Sequence, residues 1–335
     1  MPSFSPYKNM FLVLLFSGAL LAISSSSWAA AWVGLELNLM SFIPLLSSKT
    51  NLLSSEAALK YFLVQALGSA GLIFSSSISF SAAPFFLLTI SLALLLKMGS
   101  APFHFWFPQV MEGMNWLHST LLMTLQKLAP MFLISYLTTS SLCKISIYGA
   151  AICSALSGAI GGLNQTSLRK ILAYSSINHM SWMLFSMLIN ETSWIIYFSL
   201  YSLIIISITI LFASLQAYHF SDLVNLLNGV SSKTISVLAL FSLGGFPPFS
   251  GFIPKWIVVQ ELILNLYFYA LLLLLFCSLL TLYFYLRLSL YTISLSTPRN
   301  KTMISLNPGP SFLVMFTTFW NLFGIFMTSF LMILF

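Results

Sequence analysis

Residues 84–113 read PFFLLTISLALLLKMGSAPFHFWFPQVMEG, an apolar stretch that glycine and proline interrupt near its middle. A continuous helix of this length would extend roughly 45 Å, well beyond the hydrocarbon thickness of a bilayer. Proline removes a backbone donor and crowds the preceding turn, whereas glycine readily leaves helical angles. The stretch therefore predicts a membrane helix that is broken between Met98 and Pro102. The alternative, two short spans joined by a surface loop, would reverse the orientation of every later span.

Residues 234–264 form a second long apolar stretch with the same kind of interruption, GGFPPFSG at 244–251. The two stretches are the fourth and ninth predicted spans. Interrupted helices in corresponding places are typical of an inverted repeat around a transport site. We therefore expect a single transmembrane domain over residues 1–335, with inverted-repeat halves of approximately 10–138 and 144–293 and an extra C-terminal helix at 311–334.

The composition of the whole chain indicates a membrane protein. Of its 335 residues, 59% are hydrophobic and 6% are charged, whereas a soluble domain has roughly 25% charged residues. The predicted fold is all-α, a polytopic bundle of about eleven transmembrane helices with two discontinuous helices in an inverted repeat. Two polar stretches, Tyr218–Lys233 and Ser294–Pro310, are predicted loops. The predicted spans are Met10–Ile23, Trp28–Leu46, Glu56–Ser77, Pro84–Gly113, His118–Leu137, Lys144–Leu163, Leu168–Ile189, Ser193–Tyr218, Thr234–Leu264, Leu266–Ile293 and Ser311–Leu334.

The basic residues sort to one side of this bundle. An odd number of spans places the N-terminus and every second loop together, with Lys8, Lys49, Lys60, Arg169, Lys170, Lys233, Arg299 and Lys301. The opposite side has Lys144 and the acidic Glu191. Short loops rich in Lys and Arg stay on the side where insertion begins, so the C-terminus is expected on the far side. The net charge is +7 without a basic patch, which excludes nucleic-acid binding.

Four charged side chains stand out: Glu36 and Lys127 lie near the middle of predicted spans, Lys97 lies just before the first predicted break, and Lys255 lies just after the second. Each charge within a membrane costs about 2.5–3.5 kcal/mol on insertion scales, and a leucine would serve packing equally well. A desolvated lysine gives up its proton more readily than one in water. Glu36 can hold a neighbouring lysine charged until the two move apart. We therefore predict that these four residues carry protons.

Two histidines and the absence of cofactor motifs complete the chemistry that the residues suggest. His179 lies mid-span and is either a proton relay or an ordinary core histidine, and His104, after the first break, is open to the same two interpretations. The chain has no GxGxxG or GxxxxGK[ST] motif, and its three cysteines lack metal-ligand spacing. We expect no cofactor, no metal and no redox site in this chain.

Six motifs together resemble a known family. They are WVGLELN (32–38), LKMGSAPFHFW (96–106), LQKLAP (125–130), GGLNQTSLRK (161–170), LGGFPPF (243–249) and PKW (254–256). In this order they are similar to the subunit 2 family of mitochondrial NADH–ubiquinone oxidoreductase, one of the antiporter-like membrane subunits of respiratory complex I. The similarity extends through most of the chain and fades after Leu290.

The resemblance implies a role for the chain. In this family, electron transfer in other subunits, which hold flavin and iron–sulfur clusters, drives proton pumping in the membrane arm. The family's helix glutamate, first-break lysine, central lysine and second-break lysine match Glu36, Lys97, Lys127 and Lys255. Expected partners are membrane lipid and other membrane-arm subunits, including antiporter-like subunit 4 and small subunit 4L. The expected place is the mitochondrial inner membrane, with the N-terminus in the matrix and the C-terminus in the intermembrane space.

Two other functions fit the same motifs. One is a subunit of a related cation/proton antiporter complex without redox coupling, and the other is a structural subunit of the membrane arm that pumps nothing. Copurifying flavin and iron–sulfur subunits would distinguish the oxidoreductase from the antiporter, and replacement of Lys127 would distinguish pumping from scaffolding. The chain also lacks three N-terminal helices of longer bacterial relatives, so the inner face of its early helices is expected to need a covering partner.

Overall fold

The computed structural model describes residues 6–47, 51–78, 83–226, 230–294, Phe319 and Asn321, and this part of the chain is all-helical. Its only extended pairing is an isolated bridge between Ser167 and His219. Fourteen helices follow one another here: α1 Pro6–Ser24, α2 Trp28–Leu46, α3 Leu52–Ile78, α4 Ala83–Met98, α5 Trp106–Gly113, α6 Trp116–Met123, α7 Leu125–Leu137, α8 Ser141–Gly161, α9 Leu168–Ile189, α10 Glu191–Leu215, α11 Phe220–Leu226, α12 Val230–Gly244, α13 Phe252–Leu264 and α14 Phe268–Ser294.

Seven stretches of the described chain are long and apolar enough to cross a membrane, which confirms a multi-pass, all-helical membrane protein. They are α1, α2, α3, α6 with α7, α8, α10 and α14. The apolar parts of α4 and α12 are shorter, and the predicted total of eleven spans stays a prediction. The predicted helix Ser311–Leu334 lies outside the described residues except for Phe319 and Asn321.

Helix α9 has the predicted bounds, Leu168–Ile189, but is not among the most apolar helices. It carries Asn178, His179 and several serines, and most of its side chains are buried. A helix surrounded by other helices does not present these polar groups to lipid, so it tolerates them. The position of α9 at the centre of the bundle is what brings His179 among the other candidate residues.

The predicted helix His118–Leu137 is interrupted at Thr124, which lies between α6 and α7. Thr124 has φ −114° and ψ −80°, and its hydroxyl donates to the carbonyl of Thr120 at 2.7 Å. A threonine hydroxyl that competes for a backbone carbonyl loosens a helix, and Pro130 removes a further backbone donor from α7. The interruption directly precedes Lys127 and was not expected from the sequence.

The prediction of a loop over Tyr218–Lys233 is wrong in part. Helix α11 occupies Phe220–Leu226, and α12 begins at Val230. The carboxylate of Asp222 accepts hydrogen bonds from the backbone N–H groups of Tyr218 at 3.1 Å and His219 at 2.8 Å. An acidic side chain that pairs with amides at the start of a helix stabilises even a short helix.

Two helix pairs, α1 with α2 and α8 with α9, pack closely through a glycine. A Cβ atom on Gly18 would lie 2.9 Å from the backbone nitrogen of Asn38, and one on Gly158 would lie 2.6 Å from that of Asn178. The glycine and the asparagine are the same number of residues apart in both pairs. Small residues allow helices in a membrane to approach closely, and here the same contact occurs twice.

Candidate functional site

Helix α4 ends in a glycine turn that starts the interruption before α5. Gly99 has φ +72°, and its N–H donates to the Leu96 carbonyl at 3.1 Å. The N–H of Ser100 donates to the Leu95 carbonyl at 3.2 Å. This pair of bonds, with glycine in the left-handed conformation, is the Schellman motif that terminates helices.

Helix α12 ends in the same way. Gly245 has φ +77°, and its N–H donates to the Ser242 carbonyl at 3.1 Å. The N–H of Phe246 donates to the Phe241 carbonyl at 3.2 Å. Pro247 and Pro248 follow at once and prevent the helix from continuing. The two interruptions therefore begin with one motif, formed by different residues.

Side chains satisfy the carbonyl groups that the first interruption leaves without helical partners. The indole Nε1 of Trp106 donates to the Leu96 carbonyl at 3.2 Å, and the amide Nε2 of Gln65 donates to the Lys97 carbonyl at 3.0 Å. An unpaired carbonyl is costly where water is excluded. These contacts fix the end of α4 against α5 and α3.

Lys97, the second-last residue of α4, is 5% exposed, and its side chain lies against α3. From α2, the half-buried carboxylate of Glu36 acts on its charge electrostatically. The two groups do not form an ion pair in the described chain, where ion pairs join Glu56 with Lys60 and Glu112 with Lys170, each at 2.7 Å. Glu36 thus acts on Lys97 from beyond ion-pair distance.

Lys127 lies at the centre of the bundle and is 2% exposed. Its Nζ is 3.5 Å from the carbonyl oxygen of Ser176 in α9. The same atom lies 4.7 Å from the centre of the Phe107 ring in α5 and 6.0 Å from that of Tyr201 in α10. Aromatic faces attract a cation at these distances. Three helices therefore surround this ammonium group with weak partners and no carboxylate contact.

His179 lies between the central lysine and the second interruption. A hydrogen bond of 2.8 Å joins its Nδ1 to the hydroxyl of Tyr197, and its ring centre is 5.0 Å from that of Tyr201. The ring is close enough to Lys127 and to Lys255 for both charges to act on it. The role of His179 as a proton relay stays a prediction, because a satisfied core histidine also makes a bond of this kind.

Lys255, in α13, reaches back across the second interruption. Its Nζ donates to the carbonyl of Gly244 at 2.7 Å, and the side chain is 8% exposed. The methylene groups lie over Gly245, where a Cβ atom would be 2.9 Å from Lys255 Cδ. The end of α12 thus holds the lysine through a backbone carbonyl.

His104 is separate from this group. It lies in the turn between α4 and α5, and its ring packs on Phe105 with ring centres 4.3 Å apart. Its buried Nδ1 has no hydrogen-bond partner among the described residues. The structure brings Glu36, Lys97, Lys127, His179 and Lys255 into neighbouring helices, but it gives His104 no contact with any of them.

Sequence reasoning missed several uncharged polar residues of the site. Tyr61 donates from its hydroxyl to the Gln126 side-chain oxygen at 3.0 Å, and Gln126 donates to the Asn38 side-chain oxygen at 3.0 Å. Asn38 is two residues from Glu36, and Gln126 directly precedes Lys127. The position of these amides beside intramembrane charges is the sequence signal for this chain of hydrogen bonds.

Asn321, from the C-terminal segment, contacts the second interruption. Its side-chain oxygen accepts hydrogen bonds from the hydroxyls of Ser242 at 2.9 Å and Ser207 at 3.3 Å. Its backbone carbonyl accepts from the N–H of Ser250 at 3.3 Å, and the residue is 2% exposed. No sequence motif pointed to this residue, because the resemblance fades before it.

Comparisons with known sequences give consistent results. The chain matches the family described as NADH:quinone oxidoreductase/Mrp antiporter, transmembrane, over residues 25–84 and 77–281. It is 45% identical to NADH-ubiquinone oxidoreductase chain 2 of Anopheles gambiae over 312 residues, which cover 90% of each chain. It is 42% identical to the protein of the same name from Aedes aegypti over 307 residues, 89% of each chain. The protein of that name from Locusta migratoria is 38% identical over 309 residues.

Solved structures share the fold at lower identity. A chain of respiratory complex I from Thermus thermophilus superposes with a TM-score of 0.83 at 22% identity, covering 98% of this chain and 80% of that one. A chain of the archaeal membrane-bound sulfane sulfur reductase gives 0.80 at 15%, covering 98% and 75%. A chain of the Mrp complex from Dietzia sp. gives 0.73 at 16%, covering 83% and 59%. The same helical architecture thus occurs in respiratory complexes and in the Mrp complex.

Proposed function

The chain belongs to the NADH-ubiquinone oxidoreductase chain 2 family, and from this premise we propose that it carries protons through the membrane along a row of buried polar groups. The chain is a membrane subunit of that oxidoreductase, respiratory complex I. It contributes to the oxidoreductase activity by coupling electron transfer in other subunits to proton movement through Glu36, Lys97, Lys127 and Lys255.

One observation carries this proposal: the side chains of three lysines, Lys97, Lys127 and Lys255, are almost fully buried inside one helical bundle. His179 lies between Lys127 and Lys255, and the Tyr197 hydroxyl binds it. A buried ammonium group without a carboxylate partner is costly, so packing alone does not account for Lys127. Water bridges the remaining gaps, because a proton needs a hydrogen-bonded route, and His179 is the relay between the two lysines.

The paired structural features support an inverted repeat. Gly99 and Gly245 end α4 and α12 with the same motif, and the Gly18–Asn38 contact corresponds to that of Gly158 and Asn178. We therefore assign α4 with α5, and α12 with α13, as two discontinuous spans. Counting α6 with α7 as one span and residues 311–334 as the last gives eleven, with halves of approximately 10–138 and 144–293.

We propose the remaining assignments by analogy with other members of the family. The chain lies in the mitochondrial inner membrane, with its N-terminus in the matrix and its C-terminus in the intermembrane space. Flavin and iron–sulfur clusters belong to partner subunits, and antiporter-like subunit 4 and small subunit 4L are its neighbours in the membrane arm. The outer faces of α1 and α3 are apolar and exposed at Val13, Leu20, Leu63 and Leu67, so lipid or another subunit covers them.

The proposal is tested on the native complex. The purified assembly, reconstituted into vesicles, is expected to contain flavin and iron–sulfur subunits and to pump protons when it oxidises NADH with ubiquinone. An assembly without these subunits, which instead exchanges Na⁺ for protons in the absence of NADH, would support the cation/proton antiporter. Labelling from each side of the membrane tests the topology, and finding both termini on one side would contradict an odd number of spans.

A further inference from the structure

The side chain of Lys97 occupies the space in which a side chain of residue 68 would lie. Gly68 is in α3, opposite the end of α4, and a Cβ atom built on it would be 2.7 Å from Lys97 Cγ and 3.2 Å from Lys97 Cε. Carbon atoms in contact normally lie about 3.5–4.0 Å apart. The lysine stem therefore rests directly on the backbone of α3.

Gly68 has no conformational reason to be glycine. It lies in the interior of α3, Leu52–Ile78, and its φ is not in the left-handed region. Glycine within a helix costs about 1 kcal/mol relative to alanine. The contact with Lys97 is the packing feature that offsets this cost, because any larger residue would displace the lysine.

Gln65 holds the same lysine from the same helix. It lies three residues before Gly68, hence on the same face of α3, and its amide donates to the backbone carbonyl of Lys97 at 3.0 Å. Helix α3 therefore contacts Lys97 at two points. Gln65 binds its backbone carbonyl, and the methylene groups of the lysine side chain pack on the backbone at Gly68. The acidic side chain that acts on Lys97, Glu36, comes from a different helix, α2.

We propose that Gly68 and Gln65 are positioning residues for Lys97, and that α3 sets the distance of the Lys97 ammonium from Glu36. This inference rests on the proposed role of Lys97 in proton transfer. Coulomb interaction falls with distance, and a misplacement of about 1 Å can lower a reaction rate by up to about 10²-fold. Lys255 lies over Gly245 in a similar way, but the positive φ of Gly245 prevents a clean test there.

The chain offers a matched control for Gly68. Gly71 lies three residues later in the same helix and faces the same neighbour, since a Cβ atom on it would be 3.3 Å from Ala93 Cβ in α4. The experiment compares Gly68→Ala, Gly71→Ala, Gln65→Leu and Lys97→Met in the assembled complex. It measures protons pumped per NADH oxidised over a range of pH, and the position of Lys97 by cryo-electron microscopy.

We expect Gly68→Ala to displace the Lys97 side chain, to lower pumping by roughly tenfold and to change the pH dependence of pumping. Gln65→Leu is expected to lower pumping by a smaller factor. Gly71→Ala is expected to resemble the parent. In a complex that already carries Lys97→Met, adding Gly68→Ala is expected to have no further effect on pumping, because the two changes act through one side chain. If Gly68→Ala alone fails to assemble, pairing it with Lys97→Ala removes the Cγ atom that makes the closest contact and relieves the clash.

Two results separate this inference from the proposed function. Normal pumping by Lys97→Met would contradict the role of Lys97, whatever happens at residue 68. If Lys97→Met stops pumping while Gly68→Ala matches Gly71→Ala, with Lys97 in its original position, the role of Lys97 stands and the positioning role of Gly68 is overturned.

Discussion

Lys255 Nζ donates a hydrogen bond of 2.7 Å to the carbonyl oxygen of Gly244, which links the start of α13 to the end of α12. The C-terminal end of a helix carries partial negative charge, so this carbonyl stabilises an ammonium group that has no carboxylate contact. The hydrogen bond therefore couples the conformation of the backbone at the end of α12 to the charge of Lys255. A lysine that loses its proton also weakens its hold on the end of α12.

Replacement of Lys255 by methionine is expected to lower proton pumping by about 10²-fold, the lower end of the range for loss of a proton-transferring side chain. Methionine has a similar length and fits apolar surroundings, so the complex is expected to assemble. The Gly244 carbonyl loses its partner at a cost of about 1–3 kcal/mol. Pumping in vesicles and the thermal stability of the complex measure the two effects. Pumping at the parent rate would remove Lys255 from the route.

Replacement of Lys127 by methionine is expected to leave assembly intact and to abolish most coupled turnover. The substitution removes a buried cation whose nearest partners are a carbonyl at 3.5 Å and two aromatic rings, so stability is expected to be unchanged or higher. Lys127→Arg is expected not to restore pumping, because arginine hardly releases its proton. The measurement is the number of protons pumped per NADH oxidised.

A surface lysine provides the control for Lys127. Lys60 forms an ion pair with Glu56 at 2.7 Å on an exposed face of α3, and an exposed pair of this kind contributes about 0–1 kcal/mol. Lys60→Met is therefore expected to pump at the parent rate. The role of Lys127 would be contradicted if its methionine variant, in an assembled complex, pumped as well as the Lys60 variant.

Replacement of Glu36 by glutamine tests the carboxylate that acts on Lys97. The change keeps the shape of the side chain and removes its charge, so Lys97 loses its acidic neighbour in α2. Pumping is expected to fall several-fold, with normal assembly. Glu56→Gln, which removes the partner of Lys60 at the surface, is the control and is expected to have little effect. Equal pumping by the two variants would mean that the charge of Glu36 is not used.

How far the sequence predicted this structure depended on the kind of signal. Periodic apolar runs gave the bounds of α2 and α9 as the structure has them. The Thr124 interruption was missed because it rests on one side-chain hydrogen bond, and α11 was missed because Asp222 stabilises it locally. The buried lysines were predictable because burying a charge in a membrane costs much free energy. Burying a hydroxyl group such as that of Tyr197, or an amide such as that of Gln126, costs less, so these residues gave a weaker signal.

The last prediction concerns Asn321, which binds Ser207, Ser242 and the backbone N–H of Ser250 around the second interruption. Asn321→Leu removes the side-chain acceptor, but the hydroxyls of Ser207 and Ser242 keep carbonyl partners in their own helices at 2.7 Å. The expected cost is therefore that of an ordinary hydrogen bond, about 0.5–1.5 kcal/mol. We expect lower thermal stability and, because Ser242 lies two residues before Gly244, weaker pumping through Lys255. Asn265→Leu is the control, since Asn265 is exposed at the end of α13. If Asn321→Leu loses stability but pumps normally, Asn321 supports the fold without positioning Lys255. If pumping falls while stability is unchanged, Asn321 positions Lys255 without supporting the fold.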